Sequence, residues 1–489
     1  MCLRPSERIH VLSRTKGYLT VYLSLSIMII MTLILVLFQG ARIGAVKMKT
    51  ECTADIAMNS ALAEYNRKLY EQYGLLFVDT SYGTDYPSII NTEEHLSYYV
   101  KKNLDRKLGG KFIGASSVFS MYLKDLHITG SSFAMDNNAA VLKRNILAYM
   151  ASEPIEGLLS DVTGNVDMIE GSSLTTTDVE EMARENQDII DSFELPTIIN
   201  EEGEEEELSL GNPADAVHSL KGIGALNLAV KDKSAISRQR VDLGSYSSRR
   251  KLNKGTGLDD QEDISFTENL LLEQYYYEKC SRYLGEMDKA LLKYQLEYLC
   301  FGFDSDFENL DKMASELLFI REAANMLYLF SCEPKVAEAD AVASALTAIL
   351  FVPELKDPVK YSILFAWTFA ESISDLNILF SGGRVPLFKS DSTWRLSLMS
   401  MLSFRDHLGG GDLGEGLYYK DYLRARLFLV SPDLKIKRMA DIIEMDLRRT
   451  EGNGNFKIDH CLDVFRAEIH VGTRWGYDVK IERIYGYEE

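Results

Sequence analysis

The chain has 489 residues, and its 73 Asp and Glu against 53 Lys and Arg give a formal charge of −20 at pH 7. Residues 50–489 alone carry −26, which argues against nucleic acid and against anionic lipid headgroups as partners. A hydrophobic share of 46% is ample for a packed core and excludes a disordered tail, and six cysteines with no C-x-x-C exclude a disulfide framework.

The basic tail 1–17 precedes an apolar run, Tyr18 to Phe38, that holds no charged side chain. At 1.5 Å per residue the run spans ~31 Å, close to the ~30 Å hydrocarbon layer of a bilayer. It is too long for the apolar region of a secretory leader, and Gln39-Gly40-Ala41-Arg42-Ile43 offers no small-x-small cleavage site. We therefore read residues 18–41 as a retained transmembrane helix in contact with the lipid bilayer through Tyr18–Phe38. Arg4, Arg8, Arg14 and Lys16 before it, against Arg42, Lys47 and Lys49 after it, place the N-terminus in the cytoplasm and the bulk of the chain outside.

From Ala45 to Tyr73 there is no Gly or Pro, and Ala54, Met58, Ala61, Leu62, Tyr65, Leu69 and Tyr73 recur at helical spacing. This predicts one long helix, half in lipid and half carrying an exported body, with a kink at Gly40 and Gly44. The same two glycines form a G-x-x-x-G, a candidate helix-packing site. Helical spacing returns over 93–108 and 139–150, and Val118 to Thr129 alternates as a strand, so 42–150 reads as a mixed α/β unit.

Residues 151–262 lose periodicity. Thirteen acids and only Arg184 as a base fall between Asp178 and Glu207, ending in Glu204 to Glu207. Consecutive glutamates splay apart instead of converging on a cation, so this stretch is expected to be a solvated acidic linker and not a calcium site. The patch Arg249-Arg250-Lys251 either meets acids or stays hydrated.

Residues 263–450 are expected to form a helical bundle. Ser265 with Glu268 and Ser305 with Glu308 fit capping boxes, the second accounting for Asp304-Ser305-Asp306 without a metal. The apolar stretches 341–352 and 361–370 are too short to cross a membrane and read as central helices buried nearly all round, with Trp367 in the core. Gly409, Gly411 and Gly414 satisfy G-x-G-x-x-G, but no strand precedes them, so a flexible connector is expected. Residues 451–489 read as a β-hairpin, Phe465–Val471 and Tyr477–Tyr485 turning at Gly472 to Gly476. A lone hairpin is marginal in water, and the strand near Val118–Thr129 is the expected partner. The resulting fold class is α+β: a long N-terminal helix carrying a mixed unit with a small antiparallel sheet and an inserted helical bundle.

The sequence holds no H-E-x-x-H, G-x-S-x-G or Walker loop, and no catalytic, cofactor-binding or metal-ligating set is expected. His460, Cys461 and His470 are three soft ligands without a fourth, and read as ordinary strand residues. The later cysteines, Cys300, Cys332 and Cys461, are expected in the core.

Lys16-Gly17 followed directly by the apolar run resembles the start of type IV pilins and pseudopilins, and more closely the pilin-like TadE-type proteins of tight-adherence (Tad) pilus systems. The resemblance implies prepilin-peptidase cleavage between Gly17 and Tyr18. Five residues after the cut, where pilin precursors carry Glu, this chain has Tyr22. MNSALAEYNRKLYEQYGLLFVDTSYG (58–83), IREAANMLYLF (320–330), LFAWTFAESISDL (364–376) and RIYGYE (483–488) resemble an uncharacterised family of single-span exported proteins of Gram-positive bacteria that accompany Tad components. This implies a membrane-anchored structural or assembly protein without enzymatic activity, with pilus or envelope proteins as partners. The alternative is an anchored surface enzyme, such as a cell-wall hydrolase, using carboxylates that sequence cannot pair.

Overall fold

The computed structural model describes residues 12–104, 120–151, 164, 166, 168–169, 174–199, 205–207, 210–256, 258, 266–285, 290–409 and 411–487. Its first element, α1 (Leu12–Leu62), is a 51-residue helix. It runs through Gly40 and Gly44 without interruption, so the expected kink leaves no break in the helix. In its first half the apolar span is left uncovered by the other described residues. In its second half Val46, Thr50, Ala54, Ala57, Met58 and Ala61 are buried at three-to-four spacing, which makes this half the spine of the body.

The helix stops at Leu62 and does not continue to Tyr73 as the periodicity suggests. Asn66 starts a separate helix, α2 (Arg67–Tyr73), by accepting the backbone N–H of Lys68 and Leu69 at its side-chain oxygen. The two helices keep one apolar phase, which is why the break is invisible in the pattern. Gly74 closes α2 at φ 71°, where an added Cβ would lie 2.2 Å from the Tyr149 ring, so both conformation and space require glycine.

Strand β1 (Val78–Asp79), helix α3 (Ile89–Leu104), strand β2 (Met121–Phe133) and helix α4 (Asp136–Met150) follow. β2 pairs antiparallel with β5 (Cys461–Thr473), which on its other side pairs with β6 (Asp478–Tyr485) and with β1. Alternate residues Phe465, Ala467, Ile469 and Val471 of β5 join one core with Val46, Ala54 and Met58 of α1 and Leu96 and Val100 of α3. The first and last parts of the body therefore meet in one sheet, and the chain between them forms the inserted helical bundle. The α+β class and its three parts are present as the sequence reading describes them.

Within the bundle, α5 (Val179–Asp191) precedes the two-stranded ribbon β3 (Thr197–Ile199) and β4 (Glu205–Glu207), and then α6 (Pro213–His218). The stretch read as an acidic linker is thus folded wherever it is described. Asp178 caps α5 by accepting from Glu181 N–H, and Val179, Ala183 and Asn186 are buried on one face. Leu210, Ala214 and Val217 belong to the bundle core. The acids of α5 occupy its exposed side, and their number hides a narrow buried stripe. Residues 152–163, 170–173 and 201–204 of that stretch, the basic tail up to residue 11 and Ser265 with its capping box lie outside the described residues.

The remaining helices of seven or more residues among the described residues are α7 (Phe266–Lys279), α8 (Gln295–Phe301), α9 (Asp306–Ser331), α10 (Glu333–Ile349), α11 (Lys356–Phe380), α12 (Tyr419–Phe428) and α13 (Pro432–Leu447). α11 is long and apolar enough to span a bilayer, yet its span is wholly buried, every residue from Ser362 to Phe380 included. The expectation for 341–352 is corrected: α10 buries only Ala339, Ala343 and Thr347, and although Leu350 and Val352 just after it are buried, Ile349 and Phe351 are 72% and 88% exposed. Ser305 stands at the N-cap of α9 without a side-chain cap bond, so the predicted capping box is not formed. Glu308 instead pairs with Arg240, while Asp306 accepts from the backbone N–H of Lys293 and Tyr294 and from the Ser237 hydroxyl.

Candidate functional site

Gly17, Tyr18, Gly40 and Gly44 all lie along α1, so the structure does not gather them into one site. Rising 1.5 Å per residue, Gly17 and Gly40 are ~35 Å apart. A Cβ at Gly17, Gly40 or Gly44 would meet nothing within 4 Å, so among the described residues nothing packs against those positions. One turn beyond Phe38, the Arg42 guanidinium lies 4.1 Å from the Trp475 ring centroid. Trp475 stacks on Tyr477, the centroids 5.4 Å apart and the planes within 8°. Both rings belong to the turn joining β5 to β6.

At the far end of the spine, ~36 Å above Phe38 along the helix, a polar cleft of about 260 Å³ is lined by Glu64, Asn66, Arg67, Lys68, Asp79, Tyr82, Gly83 and Asn453. It forms because the turn after α1, strand β1 and the loop after α13 converge there. Glu64 accepts the Tyr99 hydroxyl at 2.6 Å and approaches His95 Nδ1 at 2.8 Å, and the Tyr82 ring stacks on His95 at 4.0 Å. Asp79 is buried and accepts from Ser81 N–H at 2.9 Å. Burial pushes its carboxyl up from the usual range, and the bonds from Ser81 offset this in part. Both carboxylates of the cleft are therefore engaged by neighbouring side chains or backbone.

A second cavity, also about 260 Å³, opens between α9 and α12. Met313, Leu317, Ile320, Tyr422, Ala425 and Leu429 make it apolar, and the Glu316–Arg426 ion pair, 2.6 Å, stands at its wall.

The heart of the bundle holds a charge cluster that periodicity could not reveal. Arg321 of α9, Glu371 and Asp375 of α11, and Lys389 from the segment after α11 are all fully buried. Lys389 Nζ lies 2.8 Å from Glu371 and 2.6 Å from Asp375, and Arg321 donates to Asp375 at 2.8 Å. Burial pushes both acids up; at Asp375 the two cations outweigh it and hold the carboxyl below its usual range, whereas at Glu371 burial prevails. Two cations and two anions balance with Asn325 bridging, so the cluster orders the bundle without a net charge. Arg250 similarly meets Glu444 and Asp459, whereas its neighbours Arg249 and Lys251 in the basic patch are exposed. Glu297 and Glu322 are buried carboxyls pushed up to about 7, chiefly by burial.

The remaining motifs resolve into structure. His460 and His470 stand ten residues apart along an extended chain, ~33 Å at strand rise, and cannot share a metal. Among the described residues no cluster of His, Cys, Asp or Glu is arranged to hold one. Five free cysteines are described: Cys280, Cys300 and Cys461 are buried, Cys52 is exposed, and Cys332, expected in the core, is only half-buried beside Asp391. The glycine loop is not a free connector. Gly409 N–H donates to Asn377, Asp412 pairs with Arg384, and Leu417 bridges to Val385.

Together, the bare apolar half of α1 and the folded half beyond it describe a membrane-anchored protein with an extracytoplasmic, mostly helical body. No curated protein and no solved structure matches the chain. Residues 201–473, which run from the end of the acidic stretch through the bundle to the last residue of β5, match the model of a family of unknown function, DUF5702. Since the match spans more than half of the sequence, the chain belongs to the DUF5702 family.

Proposed function

We propose that this chain is a structural or assembly protein of the cell envelope, pilin-like in design, anchored by α1 with its N-terminus in the cytoplasm and associated with Tad-type pilus biogenesis. The observation that carries the reading is the two-part helix, bare on all sides within the apolar span and a buried spine beyond it. Pilin-like subunits need this division, because the bare half packs laterally in the membrane while the other half holds the exported domain rigidly. Gly40 and Gly44 support it by leaving one face of α1 open for a neighbouring helix near the outer membrane edge. The engaged carboxylates of the polar cleft favour recognition, and we take the protein to act without catalysis.

Two measurements test the proposal. Mass spectrometry of the mature N-terminus reads processing directly: a start at Tyr18 supports handling by a prepilin peptidase, and an intact tail supports a static anchor. Deleting the chain from a Tad-bearing host should abolish surface pili, and a Gly40→Leu, Gly44→Leu variant should fail to restore them. Pili present at normal number and length in the deletion strain would refute the assembly role.

A further inference from the structure

We infer that the tip of the β5–β6 hairpin, with Trp475 and Tyr477 at its centre, rests on the phospholipid headgroup layer and fixes the body upright on the membrane. The inference depends on Tyr18–Phe38 being the membrane span. If Phe38 marks the hydrocarbon edge, Arg42 stands ~6 Å above it, within the headgroup zone, which adds ~5–7 Å to each side of the hydrocarbon core. The Trp475 ring, 4.1 Å from the Arg42 guanidinium, lies within one side chain's reach of that level. A stacked Trp–Tyr pair beside an arginine is the side-chain chemistry that favours a membrane–water interface, since amphipathic rings lie among the headgroups and the cation meets phosphate.

Charge supports the same face. Although residues 50–489 carry −26, the end of the body nearest the span is basic: Arg42, Lys47 and Lys49 on α1, Lys101 and Lys102 in the last turn of α3, and the exposed Arg474 in the hairpin turn. Lys49 Nζ donates to the Leu104 carbonyl at 3.1 Å, which brings the end of α3 down beside the stem. Net charge alone argues against anionic lipid. The arrangement reverses that at this one end, and the acidic remainder is held away from the membrane by the spine.

Trp475 is one of three tryptophans, and Trp367 and Trp394 are buried in the bundle, so the hairpin carries its own optical reporter. The full chain would be reconstituted into vesicles of phosphatidylcholine and phosphatidylglycerol in equal parts, with the lipids either plain or brominated near the carbonyl end of the acyl chains. The expected result is a loss of up to about a third of the indole emission on bromolipid, one tryptophan of three, which Trp475→Phe abolishes. Arg474→Glu, a change at an exposed residue, should weaken the quenching while leaving the protein folded. Quenching that is absent, or equal in the wild type and Trp475→Phe, would overturn the hairpin contact. Failure of the chain to float with the vesicles would instead overturn the membrane span, and the hairpin contact with it.

Discussion

Phe351, in the turn after α10, holds φ at 58° with 88% of its side chain exposed. A left-handed backbone costs a β-carbon residue about 1–2 kcal/mol, and an exposed ring recovers little of it by burial. Part of the relief on substitution is lost to glycine's larger unfolded entropy, so Phe351→Gly should stabilise the protein by about 1 kcal/mol, read as an upward shift in thermal midpoint in detergent. Glu297 presents the opposite case, a charge-bearing side chain in the core. The Tyr419 hydroxyl and the Tyr283 N–H both donate to one of its oxygens, and burial still pushes its carboxyl up to about 7 from 4.5. Because the folded value lies above the unfolded one, the folded state holds the proton more tightly. The contribution of Glu297 to stability is then most favourable below about 4.5 and declines as pH rises towards about 7. Glu297→Gln should remove that decline and raise stability at pH 8 by up to about 3 kcal/mol, measured as denaturation midpoints at pH 5 and pH 8. Neither residue is legible in the sequence. A lone Phe and a lone Glu carry no spacing signal, and a charged residue among aromatics reads as surface until the fold encloses it.

The buried cluster at Arg321, Glu371, Asp375 and Lys389 binds three elements, α9, α11 and the segment after α11, through side chains that none of them can satisfy alone. Removing one partner of such a cluster leaves an uncompensated charge and costs about 3–5 kcal/mol. Lys389→Met should therefore destabilise the protein by that amount at pH 7. The penalty should shrink in acid, because Glu371 has its folded pKa raised, and protonation below it relieves the unpaired charge; denaturant titrations at pH 5 and pH 7 would show the difference. Elements governed by one dominant period were readable in advance. The apolar span of α1 and the alternation of β5 and β6 each follow from spacing, and α11 announced itself by a run too apolar for the surface. Elements governed by two competing signals were not. α5 combines a cap and a narrow buried face of Val179, Ala183 and Asn186 with many acids, and composition outweighs so narrow a face in any sequence window. The break between α1 and α2 was hidden because Asn66 restarts the helix in phase.

For the whole molecule, one helix sets both the anchorage and the height of the body, and its topology is open to a direct chemical test. Cys52 is exposed on α1, ~21 Å beyond Phe38 along the axis, and the proposed orientation puts it outside the cell, with Cys2 inside. Cys280, Cys300 and Cys461 are buried, and burial raises their thiol pKa, so they are shielded from water and resist conversion to the reactive thiolate. A maleimide that cannot cross membranes should therefore label intact cells chiefly at Cys52, with a slower reaction at half-buried Cys332. Cys52→Ser should remove most of the signal and Cys52→Ser with Cys332→Ser nearly all of it, whereas Cys2→Ser should change nothing until the cells are permeabilised. The opposite orientation predicts the reverse: labelling of intact cells would depend on Cys2 and survive loss of both Cys52 and Cys332. The two thiols of the body must change together because α1 packs in one core with the sheet and the bundle is inserted between strands of that sheet, so a result in which Cys52 is reachable and Cys332 is protected by the membrane would separate the spine from the bundle and refute the arrangement.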